Sequence, residues 1–142
     1  MWQQFKNLLR RASILPETST GERGECMAAA FLQRQGYVVV ARNWRSPADR
    51  RDELDLVCLD GTVLVFVEVK TRAAHALVSG FHAVNARKKA VVRRAATAYM
   101  RRLRPVPHTY RFDVVEVSIA PQGTPEVRHY ENVELFSKHF RP

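Results

Sequence analysis

Asp55, Glu68 and Lys70 are the residues of this chain whose types and spacing could do chemistry together. Two converging carboxylates can hold a divalent cation such as Mg2+ or Mn2+, which acts as a Lewis acid and as a template for water. An ammonium beside them can orient the attacking water or stabilise developing charge. Such tools suit hydrolysis of a phosphodiester, a reaction that loads negative charge onto non-bridging and leaving oxygens. Taken alone, Glu68-Val69-Lys70 is also what a solvated strand edge with an ordinary ion pair would show, because surface charge is the default.

Positioning these residues falls to the stretch 51–70, which reads as two strands joined at Asp60-Gly61, a dipeptide suited to a type I′ hairpin. With those two residues as the loop, Leu59 faces Thr62, Asp55 faces Phe66 and Glu53 faces Glu68. Side chains alternate along each strand and paired residues share a face. Asp55, Glu68 and Lys70 are then expected on one face, with Asp55 diagonal to Glu68 at roughly 7 Å. Val63, Val65, Val67 and Val69 take the other. The second strand is apolar on both faces up to Glu68, the pattern of a central strand.

Other elements follow from pattern and punctuation. Ser19 and Glu22 have capping-box spacing and open a helix that runs to about residue 35, where Gly36 stops it. Its stripe is Ala28, Ala29, Phe31 and Leu32. Glu25 lies one turn earlier and points toward that stripe, although an acid there also complements the helix dipole. Residues 37–42 form a short strand, and 43–51 a polar loop in which Arg42, Arg45, Arg50 and Arg51 surround Trp44. This mixture either grips a backbone and stacks a base, or is a solvated loop with one anchoring ring. Residues 71–84 form a loop holding His75, Gly80 and His82, with no metal-ligand spacing for either histidine. A helix over 85–103, ended by Arg104-Pro105, buries Val92, Ala95, Ala96, Tyr99 and Leu103. Arg87, Lys88, Lys89, Arg93, Arg94, Arg101, Arg102 and Arg104 give it charge without one acid. That face either binds phosphates or merely solubilises. Residues 110–119 alternate as a strand, 121–125 turn, and 127–130 make a short edge strand before a tail that covers the sheet.

At 142 residues the chain suits one domain with a real core. The expected organisation is an N-terminal basic amphipathic extension over 1–18, a core over 19–120 and a packed C-terminal strand and tail over 121–142. No apolar run approaches the length of about 18 residues that crosses a membrane. No signal peptide is expected, and Cys26 and Cys58, lacking a Cys-x-x-Cys pattern, fit a reducing cytoplasm. The net charge of +9 points to an anionic partner, nucleic acid first and an acidic membrane surface second. Trp2, Phe5, Leu8 and Leu9, interleaved with Lys6, Arg10 and Arg11, would serve a docked terminal helix, a basic arm or a weak membrane-surface helix.

The order helix, strand, hairpin, helix, strand, with an acid on the first helix, an Asp on the second strand and Glu-x-Lys on the third, resembles the PD-(D/E)xK nuclease superfamily. More closely, the chain resembles the bacterial YraN-type family, UPF0102, related to archaeal Holliday junction resolvases. The resemblance spans residues 20–118. It rests on Gly24-Glu25, Arg42-Asn43, Glu53-Leu54-Asp55-Leu56, the run from Val65 to Lys70, Lys88, and Arg111-Phe112-Asp113-Val114. It implies a single-domain α/β, restriction-endonuclease-like core, αβββαβ, with a mixed sheet flanked by helices. It further implies Glu25, Asp55 and Glu68 as metal-site acids, Lys70 as the catalytic lysine, and a basic position at Lys88. Asp52 departs from the pattern, which has glycine there, and the loop before it is slightly lengthened.

The expectation is a cytoplasmic domain that binds DNA, branched or structured DNA by resemblance, and cleaves it with Mg2+ or Mn2+. Arg42, Arg45, Lys88, Lys89, Arg93 and Arg94 are the expected nucleic-acid contacts, and paired action on a junction would need a homodimer. The competing expectation is a non-catalytic nucleic-acid-binding module on the same fold. A weaker one is a membrane-surface adaptor using residues 1–15. No integral membrane association is expected.

Overall fold

The computed structural model describes residues 19–73 and 84–142. The N-terminal segment and the stretch holding His75, Gly80 and His82 lie outside the described residues. In chain order the elements are α1 (Thr20–Arg34), β1 (Val38–Arg45), β2 (Glu53–Asp60), β3 (Val63–Ala73), α2 (Ala86–Arg101), β4 (Tyr110–Ile119) and β5 (Glu126–Tyr130). The strands form one sheet in the order β1-β2-β3-β4-β5. Only the β3–β4 pair is parallel. The fold is the expected αβββαβ arrangement with a mixed sheet, extended by a fifth strand.

The helices form where the sequence signals them. The Ser19 hydroxyl accepts from Glu22 N at 3.2 Å while the Glu22 carboxylate accepts from Ser19 N at 2.8 Å, satisfying two backbone donors at the start of α1. Gly36, at φ +93°, turns the chain out of the helix. Ala28, Ala29 and Leu32 seat α1 on Leu56, Cys58, Val65, Val67, Val69, Val115 and Val117. Full burial of a leucine such as Leu32 contributes about 2 kcal/mol. Asn85 caps α2 by accepting from Lys88 N at 2.9 Å. Val92, Ala95, Ala96 and Met100 pack on the opposite sheet face against Leu54, Val57, Leu64, Phe66, Phe112 and Val114. Met100 takes the deep position. Tyr99 and Leu103, expected there, are half-buried at the margin of the same stripe. Beyond β5, Leu135 is buried on this face, and the Phe136 and Tyr110 rings meet edge-on at 5.0 Å.

Strand β1 is longer than its sequence suggests. Pairing with β2 continues through Trp44 opposite Leu54 and Arg45 opposite Glu53, so residues expected in a loop are in the ladder. Trp44 packs edge-on to Tyr99 at 5.3 Å, with the Arg102 guanidinium 6.0 Å from its ring centre. These contacts hold the half-buried ring against α2 and the residue that follows it. At the other end of the sheet Asp113 is fully buried and accepts from Arg111, His129 and Asn132 N, at 2.8 to 3.2 Å. Burial alone would push its carboxyl up; the bonds from His129, Arg111 and the Asn132 amide outweigh burial and hold it below the usual range. Arg111 also reaches Asp60 and Tyr37, tying β4 to β2 and to the start of β1.

Candidate active site

The hairpin differs from its expected register. Asp60 pairs with Val63, Leu59 with Leu64, Cys58 with Val65, Val57 with Phe66 and Leu56 with Val67. The loop is therefore Gly61-Thr62. Gly61 alone of the two has positive φ, +58°, the pattern of a type II′ turn with glycine leading. A slip of one residue would have inverted every side chain, but this slip is of two and keeps each on its face. Asp55 therefore still shares a face with Glu68. It now stands across from Glu68, where the expected register put it across from Phe66.

The regular ladder stops at this point. Val69 N donates at 2.8 Å to Asp55 Oδ2, a side chain taking the place of a backbone acceptor. Side-chain alternation also breaks here. Leu56 and Cys58 pack toward α1 and Val57 toward α2, yet Leu54 packs toward α2 as well. In β1, Arg42 opposes Leu56 and Trp44 opposes Leu54, and Asn43 between them takes φ +47°. Asparagine is among the few residues that tolerate this left-handed region. The register shift of the β1–β2 ladder lies a little earlier, between Val39 and Ala41.

Asp55 and Glu68 are 9% and 3% exposed and in hydrogen-bonding contact. Burial first, and the Glu68 charge second, push the Asp55 carboxyl up to about 7; the Val69 N–H and Lys88 pull it back only partly. Lys70 Nζ lies 3.3 Å from Glu68 Oε1, and Lys88 Nζ lies 3.4 Å from the same oxygen. Burial works against the Lys88 charge, but Glu68 and Asp55 outweigh it and raise the ammonium above its ordinary value.

Glu25 approaches from α1. Burial raises its carboxyl, a side-chain hydrogen bond with Asn43 opposes this, and the charge of Asp55 adds to the rise. Gly24 explains the approach. A Cβ on Gly24 would stand 1.8 Å from Thr71 Oγ1, so only glycine lets α1 lie this close to β3, one residue past Lys70.

The structure thus brings Asp55, Glu68, Lys70 and Lys88 together, with Glu25 at the margin. Among the described residues no three His, Cys, Asp or Glu side chains close into a metal-holding group, so Glu25 stands outside a compact ligand set. The Asp55–Glu68 pair by itself fits a hard divalent cation. Mg2+ usually takes one or two carboxylates and fills its remaining positions with water and substrate oxygens. Two buried carboxyls in contact carry a repulsion that such a cation would relieve.

Five of the six expected nucleic-acid contacts have partners within the chain. Arg42 lies against α1, its Nη1 3.9 Å from Cys26 Sγ, and Arg45 pairs with Glu53 at 2.9 Å. Lys88 faces Glu68; Lys89 is half-buried. Arg93 Nε donates to Leu135 O at 2.9 Å. Arg94 holds Asp52 through two bonds, at 2.9 and 3.1 Å. Asp52, the departure noted in the sequence, is a buried acceptor that fastens α2 to the loop before β2. Asn43 was visible in the sequence beside Arg42, but its role depends on a backbone angle that composition does not carry.

Comparison with known proteins agrees with the resemblance to UPF0102. A model described as "Uncharacterised protein family UPF0102" matches residues 24–117. A UPF0102 protein of Symbiobacterium thermophilum is 46% identical over 112 residues, covering 79% of this chain and 92% of that protein. One from Leifsonia xyli is 37% identical over 113 residues, covering 80% and 93%. One from Nitratidesulfovibrio vulgaris is 45% identical over 100 residues, covering 70% and 72%. The matched span runs from Gly24 to Val117 and so holds α1 from Gly24 onward, both carboxylates, both lysines and nearly all of β4: this chain belongs to the UPF0102 family.

Proposed function

We propose that this protein is a divalent-metal-dependent endonuclease acting on DNA, with structured or branched DNA as its substrate class. The observation that carries the reading is the buried Asp55–Glu68 pair with two lysines on one carboxylate oxygen. Mg2+ or Mn2+, when bound, would supply Lewis-acid polarisation of a phosphate oxygen and an activated water. Asp55 and Glu68 would hold it, and the Val69 N–H fixes one Asp55 oxygen. Lys70, a quarter exposed on its side chain, can orient the attacking water or offer charge to the transition state. Glu25, held by Asn43, would act through water.

The test is a cleavage assay on junction, flap, single-stranded and duplex DNA with Mg2+ or Mn2+, beside calorimetry of metal binding. Asp55→Asn and Glu68→Gln are expected to abolish cleavage while leaving metal-free DNA affinity intact or improved, because each removes a negative charge that repels phosphate. Lys70→Met is expected to slow hydrolysis by about 10²- to 10³-fold with metal affinity largely kept. A wild-type protein with no metal-dependent cleavage and no calorimetric signal would refute the reading. A second reading, a non-catalytic nucleic-acid-binding module, is favoured by the lysines that already neutralise Glu68 and by the absence, among the described residues, of a closed three-ligand group. It expects DNA binding without either signal.

A further inference from the structure

Lys88 enters the sequence reading as a basic residue for DNA, yet it does not face outward. Its ammonium lies 3.4 Å from Glu68 Oε1, the oxygen that Lys70 already contacts at 3.3 Å. Two ammoniums thus meet one oxygen of a carboxyl pair, and together they can supply the two positive charges that a divalent cation would bring to Asp55 and Glu68. The position of Lys88 also runs against local electrostatics. Lys88 sits in the first turn of α2, at the positive end of the helix dipole, and that turn contains no acid. The favourable partner for its charge is across the interface, on β3.

We infer that Lys88 is an internal stand-in for the divalent cation, held on Glu68 in the metal-free protein and released toward the DNA phosphate when a cation takes that oxygen. This rests on the metal-site reading and deepens it. In the metal-free state the charge of Lys88 is spent on Glu68 and adds little to DNA affinity. When a cation occupies the carboxylate pair, its positive charge repels Lys88, and the helix dipole adds to that repulsion. The ammonium then turns to the nearest anion outside, a phosphate oxygen. Metal and DNA binding are thereby coupled through one side chain, and the coupling is reciprocal.

A binding cycle with Ca2+ tests this, using purified full-length protein, a short labelled duplex and a gel check that the duplex stays intact. Ca2+ affinity is measured with and without DNA, and DNA affinity with and without Ca2+. Lys88→Met is expected to bind Ca2+ more tightly than wild type without DNA, because a competing cation is gone. Its DNA affinity in metal-free buffer should fall modestly, because Glu68 is left less neutralised and repels phosphate, so the coupling is read as the ratio of affinities with and without Ca2+ within each protein. In wild type, Ca2+ should tighten DNA binding by about tenfold more than in Lys88→Met. Lys88→Arg, which restores the charge, should restore the coupling, a result that a purely structural role would not produce. Lys88→Gln replaces Lys88→Met if the latter does not fold. Equal coupling in wild type and Lys88→Met, with Ca2+ bound by both, overturns the exchange alone. Absence of Ca2+ binding by wild type overturns both the exchange and the metal-site reading.

Discussion

Asp55 and Asp113 are both buried acids, and their surroundings push them in opposite directions. Asp55 is raised to about 7 by burial and by Glu68. A folded-state value above the unfolded one means the native state binds a proton more tightly. Its contribution to stability is fully present below about pH 4 and is lost as pH rises to about 7. Asp113 is lowered, since the bonds from His129, Arg111 and Asn132 N outweigh its burial. It contributes stability above the unfolded value that is lost as pH falls through its folded value. In metal-free buffer Asp55→Asn is therefore expected to raise the melting temperature more at pH 8 than at pH 5. Asp113→Asn should lower it at both, by roughly 3 kcal/mol in stability, because Arg111 and His129 lose a buried charged acceptor. Thermal melts at the two pH values check both. If Asp55→Asn gains nothing at pH 8, the two carboxyls do not repel each other in solution.

The contact between α1 and β3 turns on Gly24. Gly24→Ala would place a methyl against Thr71 Oγ1 and Cβ, and the helix must move away to admit it. The expected cost is about 1–3 kcal/mol, as for overpacking elsewhere. Glu25 would be carried away from Asn43 and the carboxylates, so activity should fall more than stability predicts. Adding Thr71→Ala removes the nearest obstructing atom but leaves Cβ, and should recover only part of the melting temperature. On the far side, Arg94→Gln would leave buried Asp52 without its two guanidinium bonds and loosen α2 from the loop before β2. Its effect is expected first in thermal stability. DNA affinity should follow only where that helix shifts.

At the scale of the whole molecule, the excess of 23 basic over 14 acidic residues is the long-range feature. Several of the basic groups have partners within the chain, on Glu68, Asp52, Glu53 and Leu135 O, although the arginines among them stay exposed. Arg87 and Arg101 are exposed on α2 as well. If these carry phosphate contacts, Arg87→Gln with Arg101→Gln should flatten the log affinity against log salt slope on duplex DNA by about 1.8, at roughly 0.9 for each contact. Fluorescence anisotropy across salt concentrations measures this directly. An unchanged slope would place the electrostatic footprint on another surface. Among the described residues no helix is long and apolar enough to cross a membrane.

Local signals determined much of this molecule. The Ser19 capping box, Gly36, Asn85 and the alternation of residues 110–119 act over a few residues, and each element forms where those signals place it. The shared face of Asp55 and Glu68 was legible too, because alternation has period two and survives an even slip. The register itself was decided by the tertiary structure. Asp60-Gly61 and Gly61-Thr62 both make acceptable two-residue turns and leave every side chain on the same face, so neither turn chemistry nor alternation could choose between the two registers. The length of β1 was hidden because Asn43, Trp44 and Arg45 read as loop residues, whereas their pairing partners lie about ten residues away. Likewise Lys88, one turn before Val92, reads as a basic residue near the inward edge of its helix's stripe, but nothing local names its partner. Only the packing of α2 over β3 turns that charge inward onto Glu68, since a buried carboxylate draws the nearest cation regardless of its place in the chain.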